Sequence, residues 1–195
     1  KSLGEFYTPD WLIEHTLDQI GQVDWLHTRV LDPTCGSGSF LWEVLRRKRQ
    51  AARDAGLSIV EELEMLRGSI SGRDLNPLAV QCARANYVLA IADLLAESKS
   101  LPFTLPIRQA DAVLDLPDPD DQFDLVVGNP PWVKWSKLPK DYRDSVQDIC
   151  RSYDIFSSSL RHGGSELDIS GMILFRSADL WLKIGGKLAF VITQT

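Results

Sequence analysis

The sequence predicts an α/β fold, a Rossmann-like, mostly parallel sheet with helices on both faces. Short β-branched runs alternate with longer helical ones, the pattern of parallel strands joined by helices. A glycine turn, Gly36-Ser37-Gly38, stands between the first strand and the helix after it. Three acids, Asp32, Asp74 and Asp111, fall at the ends of successive strands, where open parallel sheets bind ligands.

Taken in order, a first helix runs from Pro9 to Ile20 with Leu12, Ile13, Thr16, Leu17 and Ile20 on one face. Arg29 to Asp32 reads as strand 1, and the glycine turn opens a helix bearing Phe40, Leu41, Val44 and Leu45 that stops at Gly56. Ser58 with Glu61 makes a capping box before Ile59, Leu63 and Leu66, so a short helix follows. Ser69 to Leu75 is strand 2. Asn76 caps and Pro77 starts a buried helix over Leu78 to Leu95. Phe103 to Ala110 is a strand interrupted by Pro106, which suits an edge. Phe123 to Val127 is strand 4, Met172 to Ile184 a helix ended by Gly185-Gly186, and Lys187 to Ile192 strand 5.

Composition narrows the function classes. With 44% hydrophobic residues in 195, the chain can bury the core of one domain. No apolar run approaches the roughly 20 residues of a membrane helix, and the N-terminus lacks a signal-peptide layout. A soluble, cytoplasmic protein with no membrane partner is expected. Cys35, Cys82 and Cys150 are far apart, and His15, His27 and His162 equally scattered, so neither a disulfide frame nor a metal site is expected. The net charge of −6 argues against binding built on unspecific phosphate attraction. Two basic runs stand out. Arg46, Arg47, Lys48, Arg49 and Arg53 form one; Lys134, Lys137, Lys140 and Arg143 form the other, directly after Asn129-Pro130-Pro131-Trp132. Each is either a solvated face or a binding surface, and the position of the second, through Lys134, Lys137 and Lys140, favours nucleic acid.

The turn Asp32-Pro33-Thr34-Cys35-Gly36-Ser37-Gly38 matches neither a dinucleotide fingerprint nor a phosphate loop. It reads as a ligand platform with a carboxylate at its lip, suited to a positively charged amino group, or else as a plain tight connection. Asp74 is placed to accept two ribose hydroxyls, and Asp111 to accept from an exocyclic amine.

These residues together resemble the S-adenosylmethionine-dependent DNA adenine-N6 methyltransferases whose cofactor motifs precede the catalytic one, of restriction-modification or phage-defence type. Phe6-Tyr7-Thr8-Pro9, Asp32 through Leu41, Gly72 through Pro77, Asp111-Ala112, Asn129 through Trp132, Asp168 through Phe175, and Gly185-Gly186 with Leu188 to Ile192 match its motifs in order. The resemblance implies that Tyr7, Thr8, Asp32, Pro33, Gly36 and Gly38 hold the methionine part of S-adenosylmethionine. It assigns Asp74 to the ribose, and Leu75, Asp111 and Ala112 to the adenine. Asn129, Pro130, Pro131 and Trp132 would form the catalytic motif, acting on a flipped-out adenine in double-stranded DNA. Two departures stand out: Trp132 replaces the commoner tyrosine, and the family's last strands and target-recognition region are not in this sequence. Residues 1–195 are therefore expected to be a catalytic domain from a larger protein, with sequence choice supplied by a further region or subunit. Methylation of a protein glutamine amide, and a cofactor-binding module without catalysis, are the alternatives.

The catalytic motif has a physical rationale. The adenine amino nitrogen is a poor nucleophile because its lone pair is delocalised into the ring. Two acceptors, the Asn129 side-chain oxygen and the Pro130 carbonyl, would take its protons and free that pair. Placement of acceptors and exclusion of water carry such catalysis. The prolines stiffen the corner, and Trp132 offers the base a stacking face worth roughly 1–3 kcal/mol.

Overall fold

The computed structural model describes residues 8–98, 104–118, 121–153 and 168–192. Five parallel strands form one sheet: β1 (Val30–Asp32), β2 (Ile70–Asp74), β3 (Ile107–Gln109), β4 (Phe123–Gly128) and β5 (Leu182–Phe190), in the order β3-β2-β1-β4-β5. Strand order reverses between β1 and β4, the crevice where open α/β sheets take ligands. Registers Val30 with Ile70 and Val30 with Leu125 bring Asp32 and the end of β4 to the same edge.

Helices α1 (Asp10–Gln19), α2 (Ser39–Asp54), α3 (Ile59–Ser69), α4 (Pro77–Ala90) and α5 (Ala92–Glu97) precede β3; α6 (Lys140–Ser152) and α7 (Ile169–Arg176) lie between β4 and β5. The pleat sends alternate side chains to opposite faces. Val30, Ile70, Leu125 and Val127 join Leu17, Leu41, Val44, Leu66 and Val80 in the larger core. Leu31 and Val126 meet Phe123 and Trp181 in a second cluster, and α6 and α7 close a third around Val113, Val146, Cys150 and Met172.

Local chemistry fixes the ends. Ser58 and Glu61 make the expected capping box, and Asn76 accepts from the Leu78 amide ahead of Pro77. β3 occupies the sheet edge, as the proline before it predicts. Among the described residues, no helix is long and apolar enough to cross a membrane.

Two elements differ from the sequence reading. The helix over Leu78 to Leu95 breaks at Ile91 into α4 and α5, where the Arg49 guanidinium takes the Ala90 carbonyl and pairs with Asp93. The helix expected over Met172 to Ile184 ends earlier: α7 passes into a wide π turn over Ser177–Trp181, and β5 begins at Leu182. Trp181, 1% exposed, is driven into the sheet beneath the Arg73 guanidinium, 3.5 Å from the ring centre. Gly185 and Gly186 therefore lie within an irregularity of β5 rather than after a helix.

The basic run on α2 is structural. Arg46 and Arg47 pair with Glu43, Arg47 with Asp18, and Arg49 with Glu62 and Asp93. Lys48 is fully buried and donates to the carbonyls of Trp25 and Thr28; burial lowers its pKa to about 8.

Candidate active site

The glycine turn sits where three backbone segments converge. The Cys35 amide donates to the Arg73 carbonyl of β2, the Gly36 amide to Asp74 Oδ2 at 2.8 Å, and Asn86 of α4 donates to the Ser37 carbonyl. Gly38, at φ 90°, is the N-cap of α2 and lies against Ala83, where a Cβ would stand 3.3 Å from that methyl. Gly38 thus serves helix packing, and it does not line the small cavity at Asn129 described below.

Asp32 is not at a lip. It is 2% exposed and lies under Gly128, so close that a Cβ on Gly128 would fall 2.6 Å from Asp32 Oδ1. Burial pushes its pKa up to about 8, the Thr34 amide opposes this with a hydrogen bond at 3.1 Å, and nearby Asp74 adds to the rise. Pro33 beside it is buried. Asp74 accepts from the amides of Gly36 and Asn76, both at 2.8 Å, tying β2 to the glycine turn.

Leu75 follows, 53% exposed, and Ala112 lies buried on the next loop. Asp111 there accepts from the amides of Val113 and Leu114 and from the Tyr142 hydroxyl at 3.2 Å, all on Oδ1. Tyr142 belongs to α6, so the helix after the catalytic motif reaches the acid expected at the adenine end. Tyr7 lies outside the described residues.

Asn129 follows β4 directly, and its Nδ2 donates to Thr8 Oγ1 at 3.0 Å. Its Oδ1 is buried without a hydrogen-bond partner among the described residues. Thr8, Asp32, Thr34, Gly36, Phe40 and Asn129 line one cavity of about 60 Å³. That is well below the roughly 300 Å³ of a pocket that encloses a small molecule, so it can hold only one end of a ligand. Asp74, Leu75, Asp111 and Ala112 lie outside it, along the carboxyl edge. Pro130 is buried, Pro131 and Trp132 are half-buried, and Trp135 packs on the α6 cluster.

A larger concavity of about 370 Å³ lies against α1 and α2, lined in part by Asp10, Glu14, Trp42, Arg46 and Asn86. None of the three strand-end acids lines it, so volume does not mark the chemical site here. Lys134, Lys137 and Lys140 are all exposed on the segment leading into α6. Val133 and Lys134 pair with Asp168 and Ile169, which anchors that segment to the start of α7. No group of metal-ligating side chains occurs among the described residues.

Sequence reasoning missed Gly128 and the contact between Thr8 and Asn129. Gly128 left a signal: a glycine closing a β-branched run marks a close approach. The Thr8 contact spans 121 residues and left none.

The parallel sheet in this order, with a glycine turn after β1, is a fold shared with solved structures. It matches a Listeria monocytogenes protein described as a class I S-adenosylmethionine-dependent methyltransferase with TM-score 0.55 and 19% identity, over 94% of this chain and 44% of that one. The family model for N-6 DNA methylase matches residues 1–151, and the chain belongs to that family. The type II methyltransferase M.PaeR7I of Pseudomonas aeruginosa is 28% identical over 100% of this chain and 35% of its own length. The DrdV–DNA complex, seen by electron cryomicroscopy, superposes with TM-score 0.67 at 15% identity, over 97% of this chain and 20% of that one. The chain therefore spans about a third of the curated relative it matches.

Proposed function

We propose that this chain is the catalytic part of an enzyme that methylates the N6 amino group of adenine in double-stranded DNA, with S-adenosylmethionine as donor. The observation that carries the reading is the Asn129 side-chain oxygen, buried and without a hydrogen-bond partner among the described residues, on the cavity that the glycine turn lines. A buried acceptor left unmade costs about 1–3 kcal/mol, a cost removed when a donor arrives. An extruded adenine amine brings two protons, and the adjacent corner at Pro130 supplies the second acceptor.

The residues fit a cationic cofactor. Asp32 is a carboxyl whose charge is suppressed chiefly by its burial, and a bound cation would favour the charged form. When bound, S-adenosylmethionine supplies a methyl group on a positively charged sulfur. Tyr7, Asp32 and the backbone from Pro33 to Gly36 would hold its amino-acid end. Asp74 would accept from the ribose, since a carboxylate oxygen can take more than one hydrogen bond. Leu75, Ala112 and Asp111 would bound the adenine. Asn129 and the Pro130 carbonyl would accept the amine protons, Trp132 would stack on the base, and the prolines would keep the corner stiff.

Extruding the base costs a few kcal/mol, comparable to what one stacking contact returns. The remainder would come from phosphate contacts at Lys134, Lys137 and Lys140 and from regions or subunits outside this chain. In the full-length protein, Asn129→Ala should abolish transfer from labelled S-adenosylmethionine to duplex DNA and leave cofactor affinity by calorimetry nearly unchanged. Label appearing only in protein would overturn the DNA assignment, and joint loss of transfer and binding would make Asn129 structural.

A further inference from the structure

A primary amide has nearly the same shape in both of its flipped orientations, so geometry alone does not decide whether its oxygen or its NH2 group faces a reacting amine. A hydrogen-bond partner at one end holds the group in place. Asn129 is held on one side only: Nδ2 donates to Thr8 Oγ1 at 3.0 Å, and Oδ1 is left on the far side. Thr8 is itself 6% exposed, and the two residues line the same small cavity with Asp32 and Gly36. The contact joins the segment before α1 to the corner after β4.

We infer that Thr8 is a positioning residue for Asn129: its hydroxyl anchors the amide nitrogen, which holds the carbonyl oxygen at the far end toward the incoming base. The inference rests on the reading of Asn129 as the acceptor for the adenine amine. A flipped amide would oppose two donors to an amine that is itself a donor, and would accept no hydrogen bond from it. The role differs from the one the family resemblance gives this threonine. A residue that grips cofactor moves affinity for cofactor, whereas one that orients Asn129 moves turnover at saturating cofactor.

Thr8→Val keeps the shape and removes the hydroxyl; Thr8→Ser keeps the hydroxyl and removes a methyl. In the full-length protein, with unmodified genomic DNA and labelled S-adenosylmethionine, Thr8→Val should lower kcat by up to roughly 10²–10³-fold, the loss that follows when one aligned transition-state partner goes. The dissociation constant for S-adenosylmethionine should stay within about threefold, and Thr8→Ser should recover most of the rate. If Thr8→Val folds poorly by thermal melting, the serine variant carries the test, since a serine enzyme as slow as Asn129→Ala overturns the inference. It is also overturned if Thr8→Val keeps or raises kcat, because the hydroxyl then does not orient the amide productively. Loss of cofactor affinity with kcat unchanged returns Thr8 to the cofactor. Should the unaltered enzyme form no N6-methyladenine by mass spectrometry, the functional reading falls first and the Thr8 role with it.

Discussion

At the scale of a residue, Asp32 shows how function works against stability. Its carboxyl titrates near 8 in the fold, against about 3.9 for an ordinary aspartate. Between those values the folded chain holds a proton that the unfolded chain has released. The fold is thus favoured most at the acid end of this window, and the contribution is lost as pH rises through about 8. A bound cation reverses the preference, since it favours the carboxylate. Cofactor binding should therefore release a proton below pH 8, and affinity should climb with pH by at most about tenfold per unit until the carboxyl is ionised. Asp32→Asn, which can keep the hydrogen bond from Thr34, should melt higher than the unaltered protein at pH 9 and bind S-adenosylmethionine weakly at every pH. Calorimetry at pH 6, 7 and 8 in buffers of different ionisation heat reads the proton directly. A flat affinity profile without proton release would remove Asp32 from the cofactor site.

At the scale of elements, the site is a junction of β1 and β4, with Gly128 as the point of contact. Its φ of 154° and the 2.6 Å approach of a Cβ to Asp32 leave no room for a side chain. Gly128→Ala should cost about 1–3 kcal/mol in stability, as overpacking does, and weaken cofactor binding. Chemical denaturation with parallel calorimetry checks both, and an alanine at 128 without effect would mean that β1 and β4 part easily. The strands and caps were legible because each rests on neighbours in sequence: the capping box at Ser58, Asn76-Pro77 and the proline before β3. The end of α7 was not. Residues Met172 to Ile184 carry a helical apolar pattern, and only the fit of Trp181 under Arg73, across the sheet, turns that chain into a strand at Leu182. Of the candidate site, the positions of the acids and of the Asn129-Pro130 corner at strand ends were legible. The depth of Asp32 was not, because burial under Gly128 depends on the pairing of β1 with β4.

At the scale of the molecule, charge is distributed by use. The run Arg46 to Arg49 on α2 reads from sequence as a solvated face or a binding surface, and its members are spent on Glu43, Asp18, Glu62, Asp93 and backbone carbonyls. Lys134, Lys137 and Lys140 are exposed beside the catalytic corner and lie on a chain of net charge −6. Non-specific DNA affinity falls with salt in proportion to the phosphates neutralised, with a slope of about −0.9 for each. Replacing the three lysines by alanine in the full-length protein should therefore reduce the slope of log affinity against log salt by about 2–3. Arg46→Ala should leave the slope unchanged while removing the bidentate pair with Glu43. Fluorescence anisotropy across a salt series separates the two. An unchanged slope in the lysine variant would mean that DNA approaches the catalytic corner from another side, with its phosphates held wholly by parts of the protein beyond these residues.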